Sequence, residues 1–142
     1  MPCPYFEPQK VAETQQFAAR VPLIDEYDGL CRAGAIPHPV PSELRFSRCN
    51  HGYARGLCVE YPETESLSCN RYHVTKEDRS FLQVVWVEEA NYAPIRWQSI
   101  RYLPGSDSLE PEPADTCARA QLLAFCRSYR RRFPQQMDVE RS

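Results

Sequence analysis

The sequence predicts an α+β fold: a three-stranded antiparallel meander with a C-terminal helix and a cysteine-bearing, loop-rich N-terminal region. Three observations carry this. Residues 68–103 contain three runs rich in β-branched and aromatic side chains. Residues 115–133 repeat apolar side chains at helical spacing. Residues 1–63 are rich in proline and glycine, show little hydrophobic period, and hold four of the seven cysteines. A chain of 142 residues is the size of one domain, so residues 1–142 are read as a single unit. Its 42% hydrophobic content is enough for an ordinary core.

The N-terminal region reads as loops and short helices. Residues 9–20 suit a helix with sparse apolar positions. Residues 23–30 suit a short helical turn ending at Gly29. Residues 36–41 alternate with proline, which removes donors and keeps preceding residues extended, so no helix forms there. Ser42 then suits the N-cap of a short helix through Leu44 and Phe46, leading to Cys49.

The meander is expected from Asn70 to Thr75, Phe81 to Glu88 and Ile95 to Leu103. In its middle strand, Leu82, Val84 and Trp86 share one face, and Phe81, Val85 and Val87 the other. Two apolar faces imply that both are covered. Residues 104–114 read as an acidic, proline-bearing linker. Asp115 is a good N-cap, and Pro134 a stop, for a helix whose buried stripe is Ala118, Leu122, Phe125, Tyr129 and Phe133.

The chemistry lies in the cysteines. Cys3, Cys31, Cys49 and Cys58 all fall in the irregular N-terminal region. Thiolates from separate loops can converge on one centre, and Gly52 and Gly56 allow close backbone approach between Cys49 and Cys58. No close CxxC pair is present, which argues against zinc ribbons and fingers. An iron–sulfur cluster accepts scattered ligands, because its corners are well separated. Zinc is the alternative, with His51 replacing one thiolate. Ordinary buried cysteines, and disulfides, are the competing explanations. Cys117 and Cys126 serve as a control: nine residues apart on the helix, they are turned by roughly 900° at about 100° per residue and cannot share a metal. His38 between two prolines reads as exposed, and His73 as a strand packing residue.

The segments CPYFEP at 3–8, Cys31 after Tyr27, Asp28 and Gly29, and GYARGLC at 52–58 resemble a family of small bacterial proteins with a CPxFEP…GYARGxC cysteine layout. The resemblance covers the N-terminal 60 residues best. It implies kinship and carries no activity with it.

Other chemistry is sparse. There is no GxGxxG, Walker, HExxH or GxSxG motif, so the sequence does not point to an enzyme. Arg127, Arg130, Arg131 and Arg132 around Tyr129 suggest an alternative: a metal-free domain that binds protein or nucleic acid through the helix. Dipole compensation at the helix end explains the same arginines more simply. A net charge of −2 disfavours general attraction to nucleic acid or anionic membrane. No apolar run approaches the roughly 20 residues of a membrane span. The opening MPCPYFE has neither the basic nor the apolar part of a signal peptide. The expected setting is the cytoplasm, where disulfides are rare. The expected role is a small metal or iron–sulfur protein in electron transfer or redox-responsive regulation, acting with a protein partner of unknown identity.

Overall fold

The computed structural model describes residues 2–12, 22–34, 36–41, 45–50, 68–90 and 93–133. Its elements in chain order are β1 (Phe6–Val11), β2 (Tyr27–Cys31), β3 (His38–Pro39), a π-helical segment (Arg45–Asn50), β4 (Ser68–Glu77), β5 (Leu82–Ala90), β6 (Ala93–Leu103), β7 (Ser108–Glu110) and α1 (Thr116–Arg132).

Among the described residues, two antiparallel sheets form, in the orders β1-β2-β3 and β4-β5-β6-β7. The meander is therefore present as three strands of a four-stranded sheet. The expected linker supplies the fourth strand: β7 returns along β6, pairing Leu109 with Tyr102. Leu109 is buried, which explains why this short strand docks.

The second sheet corrects the loop-and-helix reading of the N-terminal region. Residues 9–11 belong to β1, and residues 27–31 belong to β2. The rest of the expected helix at 13–20 lies outside the described residues, as does the Ser42 cap. Gly29 sits mid-strand rather than ending a helix. A Cβ there would meet the Glu7 carbonyl inside van der Waals contact and the Phe6 ring at 2.9 Å. Only glycine lets β1 and β2 approach this closely. The proline-rich stretch at 36–41 is extended as expected, and β3 pairs with β2.

One core joins both sheets to the helix. Leu82, Val84, Ile100, Tyr102 and Tyr72 face it from the large sheet, Phe6 and Tyr27 from the small one, and Leu122, Phe125 and Cys126 from α1. Asp115 caps the helix, its carboxylate accepting from the Ala118 amide at 2.8 Å. The apolar stripe is buried as expected from Ala118 to Phe125, with Tyr129 and Phe133 half-buried. Cys117 and Cys126 are both buried, because α1 packs on more than one side.

The second face of β5 corrects another expectation. Val85 and Val87 are half-buried, but Ile95 and Trp97 on the adjacent strand are exposed, Trp97 by 70%. At one end of this face Lys76 and Arg101 lie over the Phe81 ring, 5.7 and 4.2 Å from its centroid.

Candidate thiol site

Cys3 opens a tight turn. The Phe6 amide donates to the Cys3 carbonyl at 3.0 Å, and the Cys3 amide donates to the Cys49 carbonyl at 2.9 Å. Cys31 ends β2 directly opposite Phe6, and the next amide, Arg32, donates to the Tyr5 carbonyl at 2.9 Å. Three of the four expected ligands thus come from three segments and border one turn. Cys3 is buried, and Cys31 and Cys49 are half-buried.

The segment bearing Cys49 is fixed by its neighbours. Asn50 is fully buried and accepts from the Tyr27 amide at 2.8 Å. Its side-chain amide donates to the Tyr27 carbonyl at 3.0 Å and to the Arg45 carbonyl at 2.8 Å. Arg45 in turn donates to Glu26 at 2.5 Å and Asp28 at 2.6 Å. An asparagine that mimics a strand partner therefore clips the π-helical segment to β2. The buried Glu26 carboxylate has its charge met by Arg45.

Cys58 and His51 lie outside the described residues. Among the described residues, no three His, Cys, Asp or Glu side chains form a group that could hold a metal ion. Cys3, Cys31 and Cys49 are therefore drawn into one neighbourhood without making such a group by themselves.

Two residues that sequence reasoning set aside belong to this neighbourhood. His38 is half-buried and pairs with Cys31 across β2 and β3. Directly opposed strand residues share a face, with Cβ atoms about 5 Å apart. Only the strand pairing reveals this, since flanking prolines suggested an exposed loop. Cys117 is the second. Burial, the charges of Asp115 and Glu7, and the Cys3 thiol push its pKa up to about 12, against the pull of Arg32. Burial therefore keeps it a neutral thiol at ordinary pH. A glutamine four residues later, on an otherwise apolar stripe, was the available clue. Gln121 donates to the carbonyls of Cys3 and Phe6, each at 2.8 Å, and so places this face of α1 against the turn.

The arginines of α1 face a different task. Arg127 donates to Asp107 at 2.5 Å. Arg132 donates to Asp25 at 2.5 Å, and Arg131 bonds the same carboxylate. Asp25 is buried, and Ser128 adds a further hydrogen bond. Three of the four arginines thus hold the helix to the fold. Glu7 and Arg32 pair on the outer side of β1 and β2.

No helix among the described residues is long and apolar enough to cross a membrane. Comparison with protein-family models, with curated proteins and with solved structures gives no match.

Proposed function

We propose that Cys3, Cys31, Cys49 and Cys58 hold an iron–sulfur cluster or, in the alternative, zinc, and that the protein is a small redox or regulatory accessory protein. The observation that carries this reading is the bond from the Cys3 amide to the Cys49 carbonyl. It joins two cysteines far apart in sequence at the turn that Cys31 also borders. Cys58 follows Cys49 by nine residues, a span of up to about 30 Å, so the chain can return to the turn. Four thiolates satisfy either centre, and nearby backbone amides tune the sulfurs. In the zinc form, His51 is the nitrogen donor that would replace one thiolate.

The test is iron, zinc and sulfide analysis of the full chain purified without oxygen. Stoichiometric iron and sulfide, lost in Cys3→Ser, Cys31→Ser, Cys49→Ser and Cys58→Ser and kept in Cys126→Ser, support the cluster. Stoichiometric zinc with the same pattern supports the alternative. A metal-free protein whose four serine variants match the parent in stability overturns both.

A further inference from the structure

We infer that the outer face of the large sheet, from Trp97 to Arg101, is a docking platform for a short stretch of single-stranded nucleic acid. Strand pairing places Trp97, Ser99 and Arg101 along β6, with Lys76 across Gln83 from Arg101. This face is open. Trp97 is 70% exposed, and Lys76, Ser99 and Arg101 are exposed with it.

Two features point to the ligand. The first is a pair of cations. Lys76 and Arg101 both lie over the Phe81 ring, which holds them by cation–π attraction. Among the described residues neither makes an ion pair, although Glu110 stands opposite Arg101 on β7. The neighbouring arginines of the sheet are matched: Arg71 pairs with Glu89, and Arg96, on the other face, with Glu88. Like charges gathered at one ring repel each other, and an anion seated between them relieves that repulsion. The second feature is the flat indole of Trp97. Trp97 and Arg101 are four residues apart on one strand, about 13 Å. The ligand therefore carries a flat ring at one point and negative charge further along. A single strand does both: a base stacks on Trp97, and phosphates meet Arg101 and Lys76. A duplex keeps its base faces covered, and an acidic peptide has charge without the ring. Gln83 and Ser99 between these points bond to each other at 2.7 Å, so the platform reads no fixed sequence. The net charge of −2 makes the attraction local, not general. This platform is independent of the thiol site.

The experiment uses the full chain, labelled with nitrogen-15, and an oligothymidylate of about ten nucleotides, a length within the usual site size. At low salt the amides of Trp97, Ser99 and Arg101 should shift. Trp97→Ala should weaken binding about 5- to 150-fold, the range for losing one stacked base. Trp97→Phe keeps a ring and should retain most of the affinity, which separates stacking from any folding defect. Two phosphate contacts predict a slope of log affinity against log salt of about −1.4, and Arg101→Gln should bring it to about −0.7. Arg96→Gln, on the other face of the same strand, should leave affinity unaltered. Any one of five outcomes overturns the inference: no binding at about 1 mM, the weakest affinity of interest; shifts confined to other elements; Trp97→Ala binding as the parent does; Arg96→Gln weakening binding as much as Arg101→Gln; or a duplex of the same length or a decamer of glutamate binding as tightly as the single strand.

Discussion

Tyr72 donates its phenolic proton to the side-chain oxygen of Gln121 at 2.7 Å, in a position closed to water. The amide nitrogen of the same glutamine serves the Cys3 and Phe6 carbonyls. One side chain therefore ties β4, the helix and the cysteine-bearing turn together. Burying an amide is costly unless its hydrogen bonds are made, and here all are made.

Gln121→Leu should be far more damaging than its volume change suggests. It leaves a phenol and two carbonyls buried without these partners, each worth about 1–3 kcal/mol. Urea denaturation should show a loss of about 3 kcal/mol or more. Tyr72→Phe leaves only the glutamine oxygen unpaired and should cost about 1–2 kcal/mol. The double variant should cost less than the sum, because the pair interacts directly. Strict additivity would mean that the bond does not form.

Asp25 sets an acid limit on stability. Burial alone pushes its carboxyl up, but the hydrogen bonds from Ser128 and Arg132 and the charges of Arg131 and Arg132 bring it below its ordinary value of 3.8. The folded state thus holds the proton less readily than the unfolded chain. Its stabilising contribution is complete above pH 3.8 and is lost as pH falls through the lower folded value. Asp107, held down first by Arg127, titrates in the same direction. Asp25→Asn should therefore flatten the acid limb of a stability–pH curve without abolishing it. Arg131→Ala should cost about 1 kcal/mol, since the guanidinium is half-exposed and Arg132 remains. Removing both arginines leaves a buried, uncompensated carboxylate and should cost about 3–5 kcal/mol. An unaltered acid limb in Asp25→Asn would refute this assignment.

Strong periodicity made part of the fold legible in the sequence. The alternation around Leu82, Val84 and Trp86 and the helical stripe from Ala118 to Phe125 both appear as read. The small sheet was hidden because β1 and β2 carry Pro8 and Gly29 where strands ordinarily carry β-branched residues. Tertiary contact explains each: Gly29 permits the close approach to Glu7, and Pro8 lies beside a register shift. β7 was hidden by the prolines and charges around a single buried leucine, Leu109.

The site was legible only in its cysteines. Their confinement to one region was visible, but the partners that position them were not. Asn50 and His38 act through register and long-range bonds that no local pattern encodes, and for Gln121 the only local clue was a polar residue on an apolar stripe. The arginine run was visible as charge, while its targets, Asp25 and Asp107, lie far off or beyond the helix.

Gly29→Ala should be among the most damaging single substitutions outside the large core. The added methyl would push against the Glu7 backbone, which cannot swing aside as a side chain would. β1 and β2 must then separate, and the register that sets Cys31 opposite Phe6 goes with them. The expected loss is about 3 kcal/mol or more, in the range of severe backbone and overpacking defects. Hydrogen exchange should show protection lost first at Phe6–Val11 and Tyr27–Cys31, with β5 and β6 less affected. Uniform loss across both sheets would mean that the strands do not depend on this approach.

Cys117 and Cys126 should resist alkylation while the protein is folded. Burial is the first cause that pushes each thiol up to about 12. For Cys126 the Asp107 charge adds to burial against the pull of Arg127. The thiolate is the reactive species, so at pH 8 iodoacetamide should label both far more slowly than the same cysteines in urea. The linkage has a definite sign. Unfolding lets each thiol ionise near its ordinary value of 9.0, while the folded state retains the proton to about 12. Their stabilising contribution is therefore full below pH 9 and declines as pH rises through that window. Cys126→Ala should flatten part of this alkaline decline, at the cost of a small cavity in the core. Mass spectrometry after timed labelling checks the first expectation, and denaturation at rising pH checks the second. Rapid labelling of Cys117 in the native protein would mean that its buried position opens readily, and the turn that bears Cys3 would then be less firmly held to α1 than its hydrogen bonds to Gln121 require.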